Sequence, residues 1–109
     1  ILVNPTAVRV PVFYGHAEAI HIETRQPIDA EDVKQLLAQA PGVKLYTERD
    51  ECPTQVCSAS GNDLTHVGRI RNDISHPNGI NLWVVSDNIR KGAATNSVQI
   101  AEVLIKDYL

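Results

Sequence analysis

The sequence predicts an α+β fold, in which a mixed or antiparallel sheet of about five strands carries helices packed on one face. Two observations lead to this prediction. Several short segments alternate apolar and polar residues with period two, which is typical of strands with one buried face. Two longer segments carry an apolar stripe at helical spacing, and the order of strands and helices along the chain favours one α+β sheet.

The first two predicted strands lie near the start of the chain. Segment 7–13, AVRVPVF, alternates valine with other residues, so Arg9 is expected to point away from the valine face. Pro11 cannot donate a hydrogen bond to a neighbouring strand, which favours an edge or irregular position. A bend at Gly15 is followed by a second alternating segment, 19–25, which predicts the next strand.

The first helix is predicted to follow Asp29, because an aspartate side chain can accept hydrogen bonds from the free N–H groups of a helix start. Pro41 and Gly42 are expected to end it. Its apolar stripe consists of Val33, Leu36, Leu37 and Ala40. A short strand at 43–47 follows, and the aperiodic segment 48–63 is predicted to be a loop.

The second half of the chain predicts a strand pair and a closing helix. Segments 65–74 and 80–87 have strand character, and the intervening residues 75–79, SHPNG, favour a turn. The helix is predicted over about 92–108. Its apolar stripe consists of Ala94, Val98, Ala101, Leu104, Ile105 and Tyr108.

Composition limits the classes of protein to which the chain can belong. Its 109 residues suffice for one domain or part of one. The formal net charge of −3 argues against a nucleic-acid partner, which calls for an excess of clustered Lys and Arg. No apolar run approaches the roughly 20 residues of a membrane span, and no secretion signal is evident. We therefore expect a cytoplasmic protein without a membrane partner.

The only two cysteines, Cys52 and Cys57, lie in the motif CPTQVC. No second Cys or His pair lies close enough in sequence to complete a tetrahedral metal site with them, so we expect no metal. Nothing in the sequence indicates an oxidising compartment, which favours free thiols in a loop.

Arg9 and His16 are the candidate functional pair, seven positions apart in VRVPVFYGH. Arginine is a rigid two-pronged donor suited to carboxylate or phosphate, and histidine exchanges protons near neutral pH. From spacing alone, they can equally be a solvated strand residue and a polar loop residue. The other histidines are expected on exposed strand faces or in a turn and receive no catalytic role: His21, His66 and His76.

Two segments resemble one family of enzymes. VRVPVFYGHAEAIHIETRQPI resembles the signature around the catalytic histidine of aspartate-β-semialdehyde dehydrogenases, and HVGRIRNDISHPNGINLWVVSDNIRKGAATNSVQIAEVL resembles their C-terminal portion. The resemblance implies part of a glyceraldehyde-3-phosphate dehydrogenase-like C-terminal domain. Residues 1–90 would then be part of the catalytic and dimerisation domain, and 91–109 a helix that packs on the NADP-binding domain.

The resemblance also implies a chemistry. In this family a cysteine thiolate attacks aspartate semialdehyde, NADP takes up the hydride, and phosphate releases aspartyl phosphate; cells run the reaction in reverse for lysine, threonine and methionine biosynthesis. His16 would be the general acid–base and Arg9 would bind the substrate α-carboxylate. Asn88 would approach the nicotinamide carboxamide, with a turn cap as the equal alternative. A homodimer or homotetramer is implied.

The chain departs from the family pattern in ways that leave alternatives open. The family's nucleophilic cysteine lies upstream of the histidine, whereas Cys52 and Cys57 lie downstream, and the Gly-rich dinucleotide turn is missing. Because the sequence starts at Ile1 within the family pattern, we expect a fragment that is inactive alone. The alternatives are an N-acetylglutamyl-phosphate reductase, a non-catalytic paralogue that retains the dimer interface, and a free-standing binding module.

Overall fold

The computed structural model describes all residues from 1 to 109 and contains an open four-stranded sheet. The strands are β1 (His16–Glu23), β2 (Val43–Leu45), β3 (Thr65–Asn72) and β4 (Gly79–Ser86). The helices are α1 (Ala30–Ala38) and α2 (Thr95–Asp107), with single π-helical turns at Gln55–Ala59 and Arg90–Ala94. The strand order is β1-β4-β3-β2, with β2 parallel to β3 and the other neighbours antiparallel. The α+β class with a mixed sheet is confirmed.

The prediction of a strand at 7–13 is wrong, which is why the sheet has four strands rather than about five. The Val12 N–H donates to the Val10 carbonyl at 2.9 Å and closes a three-residue turn around Pro11. Because the proline ring fixes φ and removes the N–H, the segment turns where an extended strand would have to continue. The first strand therefore begins only at His16.

Helix α1 begins as its sequence predicts. The Asp29 side chain accepts hydrogen bonds from the N–H groups of Glu31 at 2.8 Å and Asp32 at 2.9 Å, and the Asp32 side chain accepts the Asp29 N–H in return. The helix packs on one face of the sheet through Val33 and Leu37. The buried centre of this core consists of Val67, Ile70, Ile80 and Leu82.

The second face of the sheet is covered by the loop that joins β2 to β3. Pro53 and Ala59 of this loop are fully buried. The Trp83 indole N–H donates to the Pro53 carbonyl at 2.8 Å, which fastens the loop to β4. A Cβ added at Gly68 would lie 3.1 Å from Pro53 Cδ, so the loop rests directly on β3. The sheet is thus enclosed between α1 and this loop.

Strands β3 and β4 form the predicted strand pair, which is an antiparallel hairpin. The pairing is interrupted by a β-bulge between Gly68 and Arg71, where Arg69 adopts a φ of 57°. The bulge lies away from the end of β4 that leads to Asn88, so the ladder near that end stays regular, with His66 opposite Val85.

Helix α2 is attached to the rest of the chain near its N-terminal end. The Thr95 hydroxyl donates to the Asp63 carboxylate at 2.7 Å, and the Lys91 ammonium donates to the Gln99 side chain at 2.6 Å. The apolar stripe beyond these contacts stays in solvent, with Val98 60% and Ile105 66% exposed. Neither helix is long and apolar enough to cross a membrane.

Candidate functional site

His16 is the first residue of β1 and pairs with Ser86, the last residue of β4. Its side chain is exposed. Since β1 and β4 are antiparallel, the start of one strand lies beside the end of the other, and the residues that follow Ser86 are brought to the same end of the sheet. Asn88, 72 positions after His16 in the chain, therefore comes close to it.

The turn that precedes His16 is held by two contacts from distant parts of the chain. The Gly15 N–H donates to Asn88 Oδ1 at 2.9 Å. A Cβ added at Gly15 would lie 3.0 Å from the Cβ of Gln55, and Gly15 has a φ of +91°. Both the backbone conformation and the close approach of Gln55 favour glycine here.

Asp87 holds the segment from which Asn88 projects. It is only 4% exposed, and its carboxylate accepts hydrogen bonds from the backbone N–H groups of Gly61 at 2.9 Å, Ile89 at 2.9 Å and Arg90 at 3.3 Å. The Gly61 hydrogen bond is the largest of the causes that lower the pKa of Asp87 below its ordinary value of 3.8. Asp87 is therefore ionised and joins the loop, β4 and the following π-helical turn.

An ion pair also joins the β2–β3 loop to the π-helical turn that precedes α2. The Arg90 guanidinium donates two hydrogen bonds to the two oxygens of Asp63, each at 2.8 Å, and Thr95 donates to the same carboxylate. The hydrogen bond from Arg90, followed by that from Thr95, lowers the pKa of Asp63 from 3.8 to about 2. Both charged side chains are about half exposed, so the pair orients the start of α2 more than it stabilises the fold.

Arg9 lies in the irregular segment before β1 and is exposed. It takes part in none of the chain's ion pairs, so its guanidinium is free to bind an anion. The structure joins Asn88 to the turn before His16 but forms no such link to Arg9. A cleft shared by Arg9 and His16 stays a prediction.

Neither cysteine, and no histidine other than His16, takes part in the contacts of Asn88, Asp87 and Asp63 described above. One of these histidines lies in a different environment from the predicted one. Cys52 and Cys57 are free and exposed in the loop. His21 is exposed on β1, with its Nδ1 3.1 Å from Asp73. His66, by contrast, was expected on an exposed strand face and is only 1% exposed. The expectation is wrong because the β2–β3 loop covers the face of β3 from which His66 projects.

His66 is held as a neutral buried imidazole. Its Nδ1 lies 3.0 Å from the Tyr46 hydroxyl, whereas Nε2 is buried without a hydrogen-bond partner. Burial, and secondarily the positive charge of Lys44, lowers the pKa of His66 below its ordinary value of 6.5. Protonation would place a positive charge on this buried ring and would leave the Nε2–H donor without an acceptor.

The pH dependence of stability follows from His66. Below pH 6.5 the unfolded chain binds a proton at this residue that the folded chain resists, so the free energy of unfolding should fall as pH decreases from 6.5 towards the lower folded pKa. We expect the variant His66→Gln to lack this component. Urea denaturation between pH 7.5 and 5 measures it, since the difference between the two proteins isolates His66. Parallel pH curves would contradict the prediction.

Several residues of the site could not be identified from the sequence. Asp87 follows a strand, and Asp and Asn are common where chains turn, but this signal does not indicate which loop they bind. Gly15 was assigned to a bend without a partner. Gln55 carried no signal, because it meets Gly15 only after the β2–β3 loop has folded over the sheet.

Comparison with known proteins identifies relatives of the whole chain. The family model described as "Semialdehyde dehydrogenase, dimerisation domain" matches residues 2–91. An aspartate-semialdehyde dehydrogenase from Shewanella violacea is 69% identical over 108 residues, which are 99% of this chain and 32% of that protein. The chain thus spans about a third of the length of the curated relatives it matches.

Solved structures agree with this relationship. Crystal structures of aspartate semialdehyde dehydrogenase II from Vibrio cholerae, one of them complexed with ASA, superpose with a TM-score of 0.84 at 64% identity, covering 92% of this chain and 30% of theirs. An aspartate semialdehyde dehydrogenase with NADP from Candida albicans gives a TM-score of 0.69 at 30% identity, covering 88% of this chain and 31% of that one.

Proposed function

Because the chain belongs to the semialdehyde dehydrogenase family, we propose that it forms the C-terminal part of an NADP-dependent aspartate-semialdehyde dehydrogenase. The enzyme interconverts aspartyl phosphate and aspartate semialdehyde in the cytoplasmic biosynthesis of lysine, threonine and methionine. The observation that carries this proposal is the 69% identity, across 99% of the chain, to a protein of that name. The nucleophilic cysteine and the dinucleotide-binding fold belong to other parts of the polypeptide.

In this proposal His16 is the general acid–base. It accepts the proton of the nucleophilic thiol and returns it to the oxyanion that forms when the thiolate adds to the aldehyde. It takes that proton back from the resulting hydroxyl as the hydride departs. The exposed position of His16 at the start of β1 supports this role, because a reacting group can then reach the imidazole from solvent or from an adjoining domain.

Arg9 holds the α-carboxylate of the substrate. A guanidinium donates two parallel hydrogen bonds to a carboxylate, which fixes the orientation of a small flexible molecule before its carbonyl meets the nucleophile. The freedom of Arg9 from ion pairs within the chain supports this assignment, since no internal carboxylate competes with the substrate.

Asn88 is proposed to bind the nicotinamide carboxamide of NADP. NADP, when bound, supplies the hydride acceptor for oxidation of the substrate. The side chain fits this group because Oδ1 accepts the Gly15 N–H, whereas the side-chain NH₂ donates to no group of the chain and is free for a carbonyl oxygen. The same side chain also fixes the turn before His16.

Two surfaces support an assembled enzyme. Strand β1 is an outer strand of the sheet with β4 as its only neighbour, so its other edge is open to pairing or packing by a second subunit of a homodimer or homotetramer. The exposed stripe of α2 is proposed to pack on the NADP-binding domain. Each of its larger apolar side chains would contribute about 1.5–3 kcal/mol of favourable free energy if it were fully buried, and this contribution is absent while the side chain stays in water.

An activity assay of the full-length protein tests the proposal. With aspartate semialdehyde, phosphate and NADP, we expect phosphate-dependent formation of NADPH, followed by its absorbance. N-acetylglutamate semialdehyde replaces the substrate in the parallel reaction and should give no comparable rate. A preference for that substrate would indicate the related reductase, and inactivity with both would favour a non-catalytic paralogue.

A further inference from the structure

We infer that Asn88 is a positioning residue for His16, in addition to any contact with the cofactor, because its Oδ1 accepts the N–H of Gly15, the residue immediately before the histidine. The inference rests on the proposed role of His16 as the acid–base. The hydrogen bond is 2.9 Å long and joins residues 73 positions apart, so it links the start of β1 to the segment that follows β4.

The turn before His16 needs such a link. The residues before Gly15 form an irregular exposed segment, so the strand ladder can fix His16 only from its C-terminal side, through the pairing of β1 with β4. Gly15 itself, at a φ of +91°, is the residue with the widest choice of backbone conformations. Without an external partner its N–H and the direction of the chain into His16 would be poorly defined.

Asn88 is rigid enough to serve as this partner. The residue before it, Asp87, is buried and accepts three backbone N–H groups, two of them from residues 89 and 90 that directly follow Asn88. The backbone on both sides of Asn88 is therefore fixed. Gln55 lies so close on the other side that a Cβ added at Gly15 would be 3.0 Å from its Cβ, so the turn has a hydrogen bond to Asn88 and little free space beside Gln55.

The oxygen and the NH₂ group of the Asn88 amide have different roles. Its oxygen is engaged by Gly15, whereas its NH₂ group has no partner within the chain. Asn88→Asp keeps an oxygen acceptor for Gly15 and removes the NH₂ donors, whereas Asn88→Ala removes both functions. The pair of variants therefore separates positioning of His16 from recognition of NADP.

The kinetic test uses the full-length enzyme. We expect Asn88→Ala to lower kcat by on the order of 10²-fold, since a misplacement of about 1 Å has that effect, and to alter the pH profile of kcat. Asn88→Asp should recover most of kcat while keeping a raised KM for NADP. Asn81→Ala, which removes an amide elsewhere on β4, is the matched control and should leave kcat unchanged. A raised KM for NADP with unchanged kcat in Asn88→Ala would overturn the inference.

A second measurement does not depend on activity. The Gly15 amide should exchange its hydrogen slowly in the wild type and in Asn88→Asp, and faster in Asn88→Ala, as measured by NMR. Equal exchange rates in the wild type and Asn88→Ala would overturn the inference whatever the kinetics. If the wild type is inactive but the exchange rate of its Gly15 amide still depends on Asn88, the proposed function is refuted and the structural link between Gly15 and Asn88 is established.

Discussion

Replacement of His16 by alanine is expected to lower kcat of the full-length enzyme by about 10²–10⁴-fold, the usual contribution of a positioned general acid–base. In the proposed mechanism, this variant lacks the group that removes the proton of the thiol and that of the intermediate hydroxyl. Steady-state kinetics of NADPH formation measure this loss.

His21→Ala is the matched control for this variant. His21 is also exposed on β1, but it lies next to Asp73 and Glu23, away from the Gly15 turn. It should retain kcat close to that of the wild type. Equal losses in the two variants would contradict the assignment of His16, because they would show that β1 tolerates no change of either side chain.

The largest loss of stability is expected from Asp87→Ala. This substitution removes the acceptor of three backbone N–H groups, and Asp87 itself is only 4% exposed. Each donor that stays buried and unpaired costs about 1–3 kcal/mol. The free energy of unfolding, measured by urea denaturation, should therefore fall by more than in any variant of the exposed Asp63–Arg90 pair.

Asp87→Asn and pH give two further readouts of the same contacts. The amide variant keeps one acceptor oxygen and should lie between alanine and wild type. Because the folded pKa of Asp87 is lowered, its contribution is present above the ordinary value of 3.8 and is lost as pH falls below it. A free energy of unfolding that is unchanged in Asp87→Ala at neutral pH would contradict the role given to this carboxylate.

Local features of the structure followed from the sequence. The cap of α1 was predictable because Asp29 acts on N–H groups within three residues of itself. The β3–β4 hairpin was predictable for a similar reason, since its turn residues lie between the two strands that they join. Where the interacting groups are neighbours in the chain, residue type and spacing contain most of the information.

Features that depend on distant segments did not follow from the sequence. Segment 7–13 has the alternation of a strand, but whether it pairs depends on the turn at Pro11 and on an available partner. His66 is buried by a loop whose path over the sheet is set by contacts such as Trp83 with Pro53. The hydrogen bond from Gly15 to Asn88 spans 73 positions, and no pattern in either segment indicates the other.

The adjacency of Asp87 and Asn88 affects how genetic variation in this segment is interpreted. Asp87 is expected to sustain the fold, and Asn88 is inferred to direct the proposed acid–base His16. A change in either residue is expected to reduce growth in a strain that depends on the enzyme. Reduced growth caused by a change at Asp87 should be temperature-sensitive and accompanied by less protein in the cell. Reduced growth caused by a change at Asn88 should occur although the protein is present at normal abundance. A screen that scores growth at a single temperature would assign both codons to the active site.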